Sequence, residues 1–132
     1  MDTNSSQTSL KYTGGVRDRQ GNIQKFDNPK DAYNSLYLDI HSKLNGNSSW
    51  VKPNTTLSEY ISKFAPKEDG NNPENYTNTM INYFNSKGLK ISKYSTLSTI
   101  KNNLIALGLD PEHEFTKAHL QVEDPKVLKN IS

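Results

Sequence analysis

The stretch SLKYTGGVRDRQGNIQKFDNPKDAYNSLY, residues 9–37, decides the expected fold. Its first part places apolar and aromatic residues on both sides of glycine-marked turns, which is typical of two short antiparallel strands. These residues are Leu10, Tyr12 and Val16 on one side and Ile23 and Phe26 on the other. Asn28-Pro29 then opens an amphipathic helix, because Asn caps a free N–H and Pro fixes a helical φ. The stretch therefore predicts a β-hairpin that leads directly into a helix.

Further helices are predicted from caps followed by apolar residues at helical spacing. Their expected starts are the capping box at residues 56–59, Asn72-Pro73, Ser95 or Thr96, and Asp110-Pro111, with a last short helical turn after Asp124-Pro125. The chain is thus expected to form an α+β fold, mainly helical with one short β-hairpin. We expect a flexible segment at residues 1–8 and a single domain at residues 9–132.

Composition excludes several classes of function. The net charge is +2, from 16 basic and 14 acidic residues, and so balanced a chain lacks the basic excess typical of nucleic-acid binding. It contains no cysteine, and hence no disulfide and no thiolate zinc site. No apolar run approaches the roughly 18 residues of a membrane span. The N-terminal residues lack the basic and apolar parts of a signal peptide, so another carrier would have to take the protein out of a cytoplasm.

The sequence predicts neither a metal site nor a cofactor. His41, His113 and His119 have no second histidine at i+4, and the spacing H-E-x-x-H is absent. They are interpreted as surface or half-buried polar residues. Gly14-Gly15 lacks the further glycines of a phosphate-binding loop, and no nucleophile elbow of a serine hydrolase is present.

One carboxylate differs from the others. Glu123 ends an amphipathic helix behind apolar residues, at the pole where the helix dipole disfavours a negative charge. A carboxyl that is also shielded from water has a raised pKa, which is what a general acid in glycoside cleavage needs. The alternative is a terminal Glu beside Asp124 in water. Among aromatic residues, Tyr12, Trp50 and Tyr94 lie where a ring could stack on a sugar; the alternative for Trp50 is that it closes the core under its loop.

The chain resembles a family of small phage and prophage proteins described as virion structural or lysozyme-like proteins. Segments of this chain resemble three motifs of that family, in the same order. The motifs are N-N-P-G-N-I-R-Y, F-x-x-F-x-S-P-E-x-G-I-R-A and L-N-T-I-x-x-I-I-x-R-W-A-P-P-S-E-N-N-T-x-x-Y. The matching segments are QTSLKY (7–12), IQKFDNPKDA (23–32), TLSEYISKFAP (56–66), NNP (71–73) and Tyr76. A later family motif, A-I-I-R-H-E-N-G, is similar to AHLQVED (118–124).

The resemblance implies a lysozyme-like domain, related to cell-wall glucosaminidases and lytic transglycosylases, in a circularly permuted layout. It implies that Glu123 protonates the β-1,4 glycosidic oxygen of peptidoglycan. Asp18, or the acetamido group of the substrate, would stabilise the oxocarbenium ion. Tyr12, Trp50 and Tyr76 would bind the sugar.

Three functions remain open at this stage. The first is a peptidoglycan glycosidase or lytic transglycosylase carried in a phage particle, which needs no signal peptide because it is made in the host cytoplasm and packaged. The second is a virion structural protein without catalysis that binds other virion proteins. Two departures from the family motifs favour it: the first motif has lost Asn-Pro-Gly-Asn, and Asp124-Pro125 replaces Asn-Gly. The third is a cytoplasmic binding or anti-host factor.

Overall fold

The computed structural model describes residues 11–131, and this part of the chain is predominantly helical. A 3-10 turn at Lys67–Asp69 lies between the second and third helices. The helices are α1 (Pro29–Leu44), α2 (Leu57–Phe64), α3 (Pro73–Ser86), α4 (Leu97–Ala106), α5 (Pro111–Glu123) and α6 (Pro125–Ile131).

The predicted helix starts are confirmed by the caps. The side chain of Asn28 accepts a hydrogen bond from the backbone N–H of Asp31 at the start of α1, with an O···N distance of 2.9 Å. Thr56 and Glu59 form the expected reciprocal capping box of α2. The caps of α3, α4 and α5 are Asn72, Thr96 and Asp110. Each cap satisfies a backbone donor that the helix leaves free, so these boundaries are set by local sequence.

Helix α5 lies at the centre of the molecule and packs against α1, α3, α4 and α6. Phe115 on α5 is fully buried, with its ring 5.1 Å from that of Phe84 on α3 and 6.5 Å from that of Tyr60 on α2. Each such buried aromatic contributes about 1.5–3 kcal/mol from the hydrophobic effect. The core built around α5 therefore fixes the position of the last turn of that helix, which carries Glu123.

The predicted β-hairpin, and with it the α+β class, is wrong. Residues 11–131 contain no strand and no sheet. In place of the hairpin, the segment at residues 11–28, called the N-terminal segment below, forms only two isolated antiparallel bridges, Tyr12 with Phe26 and Arg17 with Ile23. The fold expected from the resemblance, a lysozyme-like domain with a hairpin, is corrected to a predominantly helical fold.

Regular strand pairing does not form between the two bridges, because backbone and side-chain groups there make other hydrogen bonds. The N–H of Thr13 donates to Oδ2 of Asp124 at 3.1 Å, and its hydroxyl donates to the carbonyl of Gln24 at 2.7 Å. The N–H of Gly15 donates to the Thr13 hydroxyl at 2.9 Å, with a φ of 81° at Gly15. A positive φ turns the chain out of the extended conformation that a strand requires.

Leu107 directly follows α4 and is 49 % exposed. No helix within residues 11–131 combines the length and the apolar character that crossing a membrane requires. The flexible segment expected at residues 1–8, and residues 7–10 of the first family motif, lie outside the described residues.

Candidate functional site

The candidate site is built around Glu123, the last residue of α5. The hydroxyl of Tyr76, from α3, donates a hydrogen bond to Oε2 of Glu123 at 2.6 Å. Burial raises the pKa of the Glu123 carboxyl above its ordinary value, while this hydrogen bond and the positive charge of Arg17 partly lower it. The net shift is upward, so this carboxyl holds its proton to a higher pH than a solvated glutamate does.

A chain of buried hydrogen bonds leads from Glu123 into the core. The Tyr76 hydroxyl oxygen also lies 2.7 Å from Nδ1 of His119, and Nε2 of His119 lies 2.9 Å from the hydroxyl of Tyr60. Burial lowers the pKa of His119 to about 3, and the imidazole is therefore neutral near pH 7. Burial also raises the pKa of Tyr60 and of Tyr76 well above 10. We call these four residues, Tyr60, His119, Tyr76 and Glu123, the buried relay.

The N-terminal segment covers the carboxyl end of the buried relay. A Cβ atom built on Gly15 would lie 2.3 Å from Cδ of Glu123, so the carboxyl can keep this position only while residue 15 is glycine. Asp124 holds the segment in place, because its carboxylate accepts the N–H of Thr13 at 3.1 Å and the N–H of Lys126 at 3.2 Å. The second bond also caps α6. The pair Asp124-Pro125 thus starts a new helix and ties down the cover of Glu123.

A cavity of about 350 Å³ opens beside this cover, near the lower limit for ligand pockets. Trp50 lines it and stacks on Tyr60, with ring centroids 5.8 Å apart. Phe64 lines it as well, and its ring centroid lies 4.3 Å from that of His119. The remaining lining residues are Gly15, Val16, Arg17, Asp39, Lys43, Lys63, Pro66 and Asp69. The cavity wall therefore combines aromatic faces and charged groups, and no residue of the buried relay is among its lining residues.

Of the residues predicted for the site, Tyr76 and Glu123 lie in the buried relay and Trp50 lies on the cavity wall. Tyr76 and Glu123 are in direct contact, but Tyr76 is only 3 % exposed and reaches Glu123 with its hydroxyl alone. Trp50 lies on the cavity wall and also packs on the core. Both interpretations of Trp50, sugar platform and core closure, are therefore compatible with its position.

Asp18 and Tyr12 lie apart from this arrangement. Oδ1 of Asp18 accepts the N–H groups of Gln20 and Asn22 at 2.9 and 3.0 Å, so this carboxylate is held by its own turn. The ring of Tyr12 packs on the core and has the Lys126 ammonium 5.6 Å from its centroid. Neither side chain lines the cavity.

His119 and Tyr60 are the functional candidates that sequence reasoning missed. The interpretation of His119 as a surface or half-buried residue is wrong, because its side chain is fully buried. One signal was readable: His119 precedes Glu123 by four residues on α5, a spacing that puts both on one face of a helix. Tyr60 lies on the buried face of α2, but the partner of its hydroxyl could not be predicted from residue spacing.

No group of three or more His, Asp, Glu or Cys residues within 11–131 is arranged to hold a metal ion. Comparisons of the chain with protein-family models, with curated proteins and with solved structures give no match.

Proposed function

We propose that this chain is a phage virion module that acts on the glycan strands of peptidoglycan, with Glu123 as the general acid. The observation that carries the proposal is the carboxyl of Glu123, whose pKa is raised by burial and which lies against Gly15, a wall residue of a cavity with aromatic sides. A carboxyl that is protonated near the working pH can donate to a glycosidic oxygen. The virion setting rests on the resemblance of residues 7–12, 23–32 and 56–76 to phage virion motifs.

The cavity offers the contacts that a wall glycan requires. The partly buried faces of Trp50 and Phe64 suit the apolar face of a sugar ring. Arg17 and Lys63 are exposed on the cavity wall, where they suit the carboxylates that peptidoglycan carries on its lactyl groups and stem peptides. Glycan strands are therefore a better match for this cavity than an apolar ligand.

The second group of the mechanism is better supplied by the substrate than by Asp18. Both hydrogen bonds of the Asp18 carboxylate are made within its own turn, away from the cavity wall. In substrate-assisted cleavage, the acetamido oxygen of the sugar stabilises the oxocarbenium ion and no second carboxylate is needed. Glu123 then protonates the leaving oxygen as the bond to the anomeric carbon breaks.

Lysis of purified peptidoglycan, followed by turbidity and by zymogram, tests the catalytic role. Glu123→Gln should lower the rate by about 10²–10⁴-fold, as removal of a general acid does. Glu114→Gln is the matched control, because Glu114 is also buried on α5 and also accepts from a tyrosine, Tyr83, at 2.7 Å. Absence of lysis by the wild-type protein, or equal lysis by Glu123→Gln, would rule out this role.

A non-catalytic virion structural protein is the second candidate, and the exposed apolar residues favour it. Leu38, Ile105 and Leu107 are 65, 55 and 49 % exposed, and covering such apolar side chains with a neighbouring protein would remove them from water. In this case the protein is found in purified particles by mass spectrometry and has no lytic activity. Absence from particles would leave the cytoplasmic binding role.

A further inference from the structure

The direction of each hydrogen bond in the buried relay follows from counting hydrogens. A tyrosine hydroxyl carries one hydrogen, a neutral imidazole carries one N–H, and an ionised carboxylate can only accept. While Glu123 is ionised, Tyr76 must donate its hydrogen to Oε2 of Glu123, at 2.6 Å. The Tyr76 oxygen can then only accept from Nδ1–H of His119, at 2.7 Å. Nε2 of His119 is left without a hydrogen and accepts from the hydroxyl of Tyr60, at 2.9 Å.

We propose that His119 is a positioning residue for Glu123, held in the Nδ1–H tautomer by Tyr76 on one side and Tyr60 on the other, so that the hydroxyl hydrogen of Tyr76 points at the carboxylate. The role in catalysis rests on the proposed function, but the hydrogen-bond directions do not. Tyr60 acts on Glu123 through two intervening side chains. Neither Tyr60 nor His119 touches the reacting atoms.

The opposite tautomer would break this arrangement. An imidazole with its hydrogen on Nε2 would present a bare Nδ1 to Tyr76, and Nδ1 would compete with Glu123 for the single hydroxyl hydrogen. Removing the Tyr60 hydroxyl leaves Nε2 of His119 without a partner in either tautomer, because both residues are fully buried. The preference for Nδ1–H is then weakened, because only the contacts with Tyr76 and ionised Glu123 still favour it, and the hydrogen bond to Glu123 is weakened with it.

The charged groups around Glu123 stay in place in such a variant. Arg17 acts on Glu123 from the N-terminal segment, and Tyr76 acts from α3. Asp124, the next residue, directs its carboxylate to the backbone N–H groups of Thr13 and Lys126. The ring of Phe64 packs on the imidazole of His119. A change in the Glu123 pKa after Tyr60→Phe therefore reports the hydrogen-bond direction and not the loss of a nearby charge.

Nuclear magnetic resonance of the full chain tests the proposal. At a pH where Glu123 is ionised, the ¹⁵N shifts of His119 should show hydrogen on Nδ1 and none on Nε2. In Tyr60→Phe, the pKa of Glu123, followed by the ¹³C shift of its carboxyl, should rise by up to about one unit. Tyr83→Phe is the control: it removes another buried hydroxyl, the one that donates to Glu114 at 2.7 Å, and should leave the Glu123 pKa unchanged.

Hydrogen on Nε2 of His119, or an equal Glu123 pKa in Tyr60→Phe and Tyr83→Phe, would overturn the proposal. The tautomer is measured on the wild-type protein, so the test holds even if Tyr60→Phe does not fold. In a lysis assay, the alkaline limb of the pH–rate profile should move upward with the Glu123 pKa in Tyr60→Phe. An unmoved limb would remove the positioning role, whereas absence of lysis by the wild type would remove the proposed function and leave the tautomer result standing.

Discussion

Gly15 lies so close to Glu123 that a Cβ atom on residue 15 would be 2.3 Å from Cδ of the glutamate. Gly15 also has a φ of 81°, which an L-residue adopts at a cost of about 1–2 kcal/mol. The nearest atoms belong to the end of a flexible side chain, so the added methyl group should displace the Glu123 carboxyl. Displacement breaks its hydrogen bond with Tyr76.

Gly15→Ala should therefore lower the free energy of unfolding by more than the backbone strain alone. Gly21→Ala is the matched control, because Gly21 has a φ of 86° and nothing within 4 Å of an added Cβ. We expect the excess for Gly15→Ala to be about 1.5–3 kcal/mol, the worth of a hydrogen bond to a charged group. Urea unfolding of both variants measures it. Combining Gly15→Ala with Glu123→Ala should remove the excess, and an excess that persists would show that the methyl group collides elsewhere.

Asp124→Ala should destabilise the protein more than Asp110→Ala does. Both residues precede a proline and accept a backbone N–H in the first turn of a helix, from Lys126 and Glu112 respectively. Loss of such a cap costs about 1 kcal/mol. Asp124 also accepts the N–H of Thr13, so its loss leaves a further donor unpaired and should cost about 1–3 kcal/mol more.

Thermal and urea unfolding of the two variants compare these costs. Amide hydrogen exchange at Thr13 provides a second readout, since its protection should fall in Asp124→Ala and not in Asp110→Ala. Equal destabilisation with unchanged protection at Thr13 would contradict the role of Asp124 as the tie between the N-terminal segment and α6.

The helix starts could be predicted from sequence because a cap and its helix are neighbours in the chain. The hairpin could not be excluded, because the acceptor that takes the N–H of Thr13 belongs to Asp124, 111 residues away. The composition of residues 11–26 is compatible with strands, and only the tertiary contact decides against them. Local patterns carry no information on a competing acceptor of this kind.

Only part of the candidate site could be predicted from the sequence, because its contacts also join distant parts of the chain. The position of Glu123 at the end of an apolar helix face led to an expected upward shift of its pKa, and burial raises that pKa in the structure. The partners of Glu123 come from α3 and the N-terminal segment, and their convergence depends on how the helices pack. His119 shares a helix with Glu123, so its spacing was a usable signal, whereas the Tyr60 hydroxyl was not.

His119 should make the protein sensitive to acid. Burial lowers its pKa from an ordinary 6.5 to about 3, so between these values the unfolded chain binds the proton that the native state does not. Stability is therefore fully present above pH 6.5 and falls as the pH drops towards 3, by about 3–5 kcal/mol. His119→Asn keeps an amide donor for Tyr76 without titrating. The difference in free energy of unfolding between wild type and His119→Asn should shrink towards acid pH. The corresponding difference for His41→Asn, at an exposed position, should not show this trend. Equal trends for the two variants would contradict the prediction.

Glu123 should have the opposite pH dependence from Glu59. Burial raises the pKa of Glu123 above 4.5, so the native state binds more protons than the unfolded chain above that pH, and stability falls as the pH rises through the folded pKa. Glu123→Gln, which cannot ionise, should gain stability relative to wild type over this range. Hydrogen bonds with the Thr56 backbone and side chain lower the pKa of Glu59, so Glu59→Gln should lose stability relative to wild type as the pH rises. Urea unfolding between about pH 3 and 8 measures both, the Glu59 trend below its ordinary pKa of 4.5 and the Glu123 trend above 4.5, and trends of the same sign would contradict the assignment.

Trp50 should report the binding of sugar in the cavity. It is the only tryptophan in the chain, it lines the cavity, and its ring stacks on Tyr60. Soluble peptidoglycan fragments that contain N-acetylglucosamine and N-acetylmuramic acid should change its fluorescence in a saturable way. Lys63→Gln, which removes a cation from the cavity wall, should weaken binding about tenfold at low salt, whereas Lys90→Gln, at an exposed position that does not line the cavity, should not. Equal affinities in these two variants, or fluorescence that does not respond to any fragment, would show that the cavity does not bind wall glycan.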